Sequence, residues 1–142
     1  MDAREFLEQF LEQMLAWETE FHKRRRSDEY KSNNDERLKA DFEAKAKLRE
    51  IFDSCLSRKA NKSLASSRLD LLNTGRPPEF AQVIIPDSCT ESGGGLFIET
   101  INAKALAPFR RYTVIVEDEN FKIDALHGRA NEVAKWSSRE SI

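Results

Sequence analysis

Phe6, Phe10, Met14, Trp17 and Phe21 recur at intervals of four, four, three and four residues. That is one face of a 3.6-residue period and predicts a helix over residues 2–25. Leu7 and Leu11 widen the apolar stripe, while Glu8, Glu12, Gln13 and Glu20 fall mostly on the other side. Asp2 is placed to cap this helix, with Glu5 in the capping-box position, and the basic run Lys23–Arg26 complements the dipole at the far end. The polar stretch from Ser27 to Asn34 reads as a loop. A second helix is expected from a cap at Asp35 to about Arg58, with Leu38, Phe42, Leu48, Ile51, Phe52, Cys55 and Leu56 as its apolar side. Neither helix carries the strict heptad of a coiled coil.

The pattern then changes period. All glycines and prolines lie after residue 74, so the first half lacks strong helix breakers and the second is punctuated by them. Residues 59–68 are small and polar and read as a linker with a helical turn. Leu69–Leu72 is expected as a short strand, and Phe80–Ile85, with β-branched Val83, Ile84 and Ile85, as a better one. Ser92–Gly95 is a flexible turn leading into a strand over Leu96–Ile101. Arg111–Glu117 alternates, with Tyr112, Val114 and Val116 on one face and Arg111, Thr113 and Glu117 on the other. Asp118-Glu119-Asn120 is a tight turn joining it to Phe121–Leu126, where Phe121, Ile123 and Ala125 share a face. Gly128 is expected to end that strand, with a frayed helix around Val133–Trp136 in the tail. The expectation is an α+β fold: N-terminal helices packed on a curved antiparallel β-sheet, their aromatic stripes on its concave side. Residues 1–142 are read as one domain, with a core over 2–127 and a tail over 128–142.

Charge narrows the function classes. The 23 Lys+Arg nearly cancel the 25 Asp+Glu, which argues against a nucleic-acid binder or a polybasic membrane anchor. Charges in the first residues, Met-Asp-Ala-Arg-Glu-Phe, stand where a signal peptide needs an apolar run, so a cytoplasmic protein is expected. Cys55 and Cys89 make neither a disulfide framework nor a zinc site, and read as free thiols ahead of a single disulfide.

Candidate chemistry is thin. There is no phosphate-binding loop, and the triple glycine lacks the rest of a dinucleotide fingerprint. Glu18 and His22 share a helix face, but with no third ligand nearby they read as solvated surface rather than metal site. Asp124 and His127 fall on opposite faces of a regular strand. Asp124 reads mainly as a structural carboxylate. Neither a catalytic nor a cofactor or metal site is assigned.

Five local patterns, in order, resemble a known family. They are Trp17-Glu18, Leu48–Phe52 (Leu-Arg-Glu-Ile-Phe), Pro77-Pro78-Glu79-Phe80, Arg111-Tyr112-Thr113-Val114 and Phe121-Lys122-Ile123-Asp124. Over residues 5–126 the chain resembles the immunity proteins with a nuclear-transport-factor-2-like fold, found in bacterial polymorphic toxin systems. The resemblance implies a cone-shaped fold and a non-catalytic role, binding and neutralising a cognate toxin protein. Phe121 stands where that family's pattern has tryptophan, and the Arg110-Arg111 doublet is more basic than the pattern. If the toxin is a nuclease with a basic groove, an acidic patch here would mimic phosphate; Glu91, Glu117, Asp118 and Glu119 are the candidates. The alternative is a small-molecule-binding protein or an isomerase- or dehydratase-like enzyme of the same fold using a pocket carboxylate, with Asp124 and Tyr112 as acid–base residues. Alternation places Tyr112 inward and Asp124 outward, which argues against it. A third reading is a structural subunit, and the expected state is monomer or homodimer.

Overall fold

The computed structural model describes residues 1–142. Helix α1, Ala3–Arg25, starts as expected: the Asp2 carboxylate accepts from the Glu5 amide at 2.8 Å. It buries Phe6, Leu7, Phe10, Leu11, Met14, Trp17 and Phe21. The expected loop over 27–34 contains a short helix, α2 (Asp28–Ser32), started by the Ser27 side chain. It is pinned where the Tyr30 hydroxyl donates to Asp41 (2.7 Å). The cap of α3, Asn34–Cys55, is Asn33 rather than Asp35; its carbonyl oxygen accepts from the amides of Asp35 and Glu36.

The inward face of α3 is also not the one expected at its start. Ala40, Ala44, Leu48, Ile51, Phe52 and Cys55 are buried, whereas Leu38 and Phe42 are 61% and 75% exposed. Continuing the Leu48–Phe52 stripe backwards at helical spacing lands on Ala44 and Ala40. Small residues there let α1 approach closely enough for the Trp17 indole to donate to the Ala44 carbonyl at 2.9 Å.

The expected linker and strand over 59–72 are two short helices, α4 (Arg58–Ser63) and α5 (Ser66–Leu71). Ser57 caps α4; of the serines within 59–68, Ser63 ends α4, and Ser66 and Ser67 lie in the first turn of α5. Six strands follow: β1 (Val83–Ile84), β2 (Thr90–Ser92), β3 (Gly95–Ile101), β4 (Phe109–Glu117), β5 (Asn120–Arg129) and β6 (Ser137–Ser138). All pair antiparallel, in the order β1-β3-β4-β5-β6, with β2 sharing the β3 edge with β1. The strand expected over Phe80–Ile85 shrinks to two residues, Val83–Ile84. Between β1 and β2 the ladder is carried by a side chain: Ser88 Oγ accepts from the Glu99 amide and donates to its carbonyl.

The glycine turn between β2 and β3 is tightly constrained. Gly94 has φ +104°, and a Cβ on Gly95 would lie 2.7 Å from the Val114 carbonyl oxygen. The β4–β5 hairpin turns on Asp118 and Glu119, both with positive φ (52° and 68°). A bulge then leaves Asp124 unpaired, since Val114 pairs with Ile123 and Thr113 with Ala125. The inward residues of β5 are therefore Ile123 and Leu126, which a strict alternation misses.

The tail holds no helix at Val133–Trp136. Asn131 folds it into a turn by accepting from the amides of Val133 and Ala134. Ser137–Ser138 then pairs with β5, and Ile142 returns to the core, where its amide donates to Leu64 O. No helix is long and apolar enough to cross a membrane. Both cysteines are free; burial pushes the Cys55 thiol up to about 11, against the opposing influence of Lys122, while Cys89 is exposed.

Candidate functional site

Most polar groups inside the fold already have partners, Arg110 Nη1 being an exception. Glu18, expected on a solvated face with His22, is fully buried. Its carboxylate accepts from the backbone amides of Gly75 (2.7 Å), Glu79 (3.1 Å) and Phe80 (2.9 Å). The turn 75–80 carries three otherwise orphaned donors, and Glu18 satisfies all three. His22 reaches the same turn through Thr74, at 3.1 Å.

That turn delivers Glu79 to an interior arginine cluster. Glu79 pairs with Arg68, and with Arg110 at 3.6 Å. Burial pushes its carboxyl up, but Arg68, then Arg110 and Arg139, outweigh this and hold it below the ordinary carboxylate value. Tyr112 is fully buried as expected, and its hydroxyl donates to Gln82 Oε1 (2.7 Å), which also accepts from Thr100 (2.8 Å). Burial raises the phenol's pKa. Asp124, at the bulge, turns to the β5 edge. It accepts from the buried Ser57 hydroxyl at 2.8 Å and lies 3.4 Å from Lys59. Tyr112 and Asp124 thus serve different structural bonds and do not converge on one space.

Of the four acidic candidates, Glu117, Asp118 and Glu119 lie at the β4–β5 hairpin turn and Glu91 on β2, across β3 from it. Glu117 and Asp118 are both tied to Arg58, at 3.6 and 2.6 Å, and the Arg58 amide also donates to Glu117. Glu91 on β2 and Glu119 at the hairpin turn are exposed. Between the two turns lies a recess of about 450 Å³ lined by Glu91, the three glycines, Leu96, Val114–Val116 and Phe121. Val116, expected to face the core, is 64% exposed, because β4 runs past the helices there. The tip therefore combines apolar side chains with carboxylates, two of them already paired.

The chain matches the model of the NTF2 fold immunity protein family over residues 2–140. It belongs to that family. No curated protein and no solved structure matches. In this immunity protein each of the sequence patterns that carried the resemblance contributes at least one residue to the framework. Trp17-Glu18 joins α1 to α3 and to the 75–80 turn, Leu48, Ile51 and Phe52 are core, Tyr112 anchors Gln82, and Asp124 anchors Ser57.

One surface of this immunity protein escaped the sequence analysis. On the sheet face away from the helices, Glu99, Arg111 and His127 stand directly opposite one another across β3, β4 and β5. Arg111 stacks between Phe97 (4.1 Å) and Trp136 (4.9 Å), and Arg129 between Trp136 (4.1 Å) and Phe109 (5.8 Å). Glu99 pairs with Arg129 at 3.7 Å. Burial, Arg111 and Lys59 lower the His127 pKa, favouring a neutral ring. The visible clues were the Arg110-Arg111 doublet and the outward alternation of β4; Trp136 was misread as helical tail.

Proposed function

We propose that this protein neutralises a cognate toxin by direct contact and without catalysis, as one domain in the cytoplasm of a bacterium with a polymorphic toxin system. The observation that carries this reading is the family match over residues 2–140. The commitment of Tyr112 and Asp124 to structural bonds supports it.

On this reading the toxin meets the sheet tip. The recess beside Val116 and Phe121 suits an apolar anchor, and Glu91 and Glu119 suit a basic surface such as a nuclease groove. Glu117 and Asp118 stand on the same rim, but with Arg58 between them they contribute less net charge. A stable inhibitory contact needs roughly 1,600 Å² in all, so the tip would be its centre rather than its whole extent.

The test is affinity purification of the tagged protein from its native cells, with mass spectrometry of what is retained near stoichiometrically. A retained protein that is lethal without this chain is the expected result; no such partner removes the immunity reading. With the toxin in hand, Glu91→Lys with Glu119→Lys should slow association at low salt by roughly tenfold or more. An unchanged association rate takes the tip out of the interface.

A further inference from the structure

Arg111 is gripped by aromatic rings on both sides and by no carboxylate. Its opposite neighbour, Glu99, pairs with Arg129 instead. We propose that the outer sheet face is a second docking site, separate from the toxin-facing tip, for an acidic segment of a protein partner, with a partner carboxylate seated on Arg111 beside Arg129 and Trp136.

Three observations carry this. The first is unmet hydrogen-bonding capacity: Arg111 Nε, Arg129 Nε and His127 Nδ1 are all buried without a partner, and they lie on one face. Buried polar groups are ordinarily satisfied, so the two unmet guanidinium N–H groups on one face mark a place where an acceptor is missing. An ionised carboxylate only accepts, and it matches the guanidinium fork in two parallel bonds. The second is charge. Two guanidinia face one carboxylate, leaving a local cationic excess on a chain whose net charge is −2. That excess suits a single acidic side chain in a short segment. Glu99 inside the cluster opposes a long polyanionic backbone.

The third is preorganisation. Phe97, Trp136 and Phe109 fix the planes of both guanidinia, so little side-chain freedom remains to be lost on binding. Arginine, tryptophan and phenylalanine held rigid and half-buried are also the residues that anchor protein contacts. Trp136 belongs to the 130–136 turn segment rather than to the sheet, so the rings are brought together only by tail folding.

The probe is an octaglutamate peptide titrated at low ionic strength into the full chain. NMR would follow the Nε–H signals of Arg111 and Arg129 and the indole N–H of Trp136. The expected result is saturable shifts of these three signals, weakening as salt is added. Arg111→Gln should then weaken binding at least about tenfold. Arg129→Gln provides a second variant should Arg111→Gln disturb the sheet. Shifts spread over the whole surface would overturn the proposal. So would an equal loss from Lys45→Gln on exposed α3, or the same shifts from inorganic phosphate with none from octaglutamate.

Discussion

Replacing Glu18 by glutamine removes a charge and one acceptor while keeping the shape. Glu18 Oε2 accepts from Gly75 and Glu79, and Oε1 from Phe80. The glutamine amide must turn its NH₂ toward one of these two sets. In its better rotamer it keeps the Gly75 and Glu79 bonds and sets a donor against the Phe80 amide, which is buried. An unmet buried donor costs about 1–3 kcal/mol, and the two surviving bonds lose the strengthening that a charged acceptor gives. The total is about 3 kcal/mol, or a fall in Tm of roughly 10 °C for a domain of this size. Urea unfolding followed by the fluorescence of neighbouring Trp17 measures the loss. Hydrogen exchange at Gly75, Glu79 and Phe80 locates it. A loss under about 1 kcal/mol with those amides still protected would show that the turn holds itself and that Glu18 is not its anchor.

Two further outcomes follow from the interior and from α3. Glu79 titrates below its ordinary value in the folded protein, so it contributes stability that is complete above the ordinary carboxylate range and lost as pH falls through the lowered value. Glu79→Gln should accordingly flatten the acid limb of the urea midpoint against pH, and an unaltered limb would refute the pairing with Arg68 and Arg110. On α3, Phe42→Ser should leave stability within about 0.5 kcal/mol, whereas Ala44→Leu, which forces α1 away, should cost about 1–3 kcal/mol by thermal unfolding. The reverse ranking would restore the apolar face expected from the sequence.

What the sequence disclosed and what it hid divide along physical lines. The α1 stripe, the β3 strand and the two tight turns were legible because each is dictated locally, by period or by turn chemistry. Phe42 misled because a large apolar residue outweighs an alanine in any pattern, although the close approach of Trp17 to Ala44 requires the alanine. The helices α4 and α5 were hidden because serine serves caps and linkers alike. Glu18 looked like surface since nothing near it in sequence reveals that the 75–80 turn, some sixty residues away, will bring three donors. The acidic candidates were chosen from turn residues, and the tie from Arg58 to Glu117 and Asp118 is a tertiary pairing that spacing does not reveal. Of the arginine–tryptophan face only Arg111 fell within a motif; Phe97, Phe109, Arg129 and Trp136 meet it through strand pairing and tail folding, which spacing does not reveal.

The sheet's outer boundaries carry a consequence for how recognition can change. One boundary is formed by β1 and β2, two and three residues long, separated by Pro86 and a serine side chain standing in for backbone. The other is the β5 edge, taken up by two-residue β6 at His127 and Gly128 and by Ser57, whose amide donates to the Ile123 carbonyl. Such stubs offer an arriving chain little continuous backbone to zip onto, which disfavours both strand addition and self-templated aggregation. Recognition is then left to side chains on turns and on the exposed face. Those positions can be exchanged one at a time while Glu18, Tyr112, Ser57 and Asp124 keep the framework standing. A scaffold of this kind can exchange its surface contacts without refolding its core.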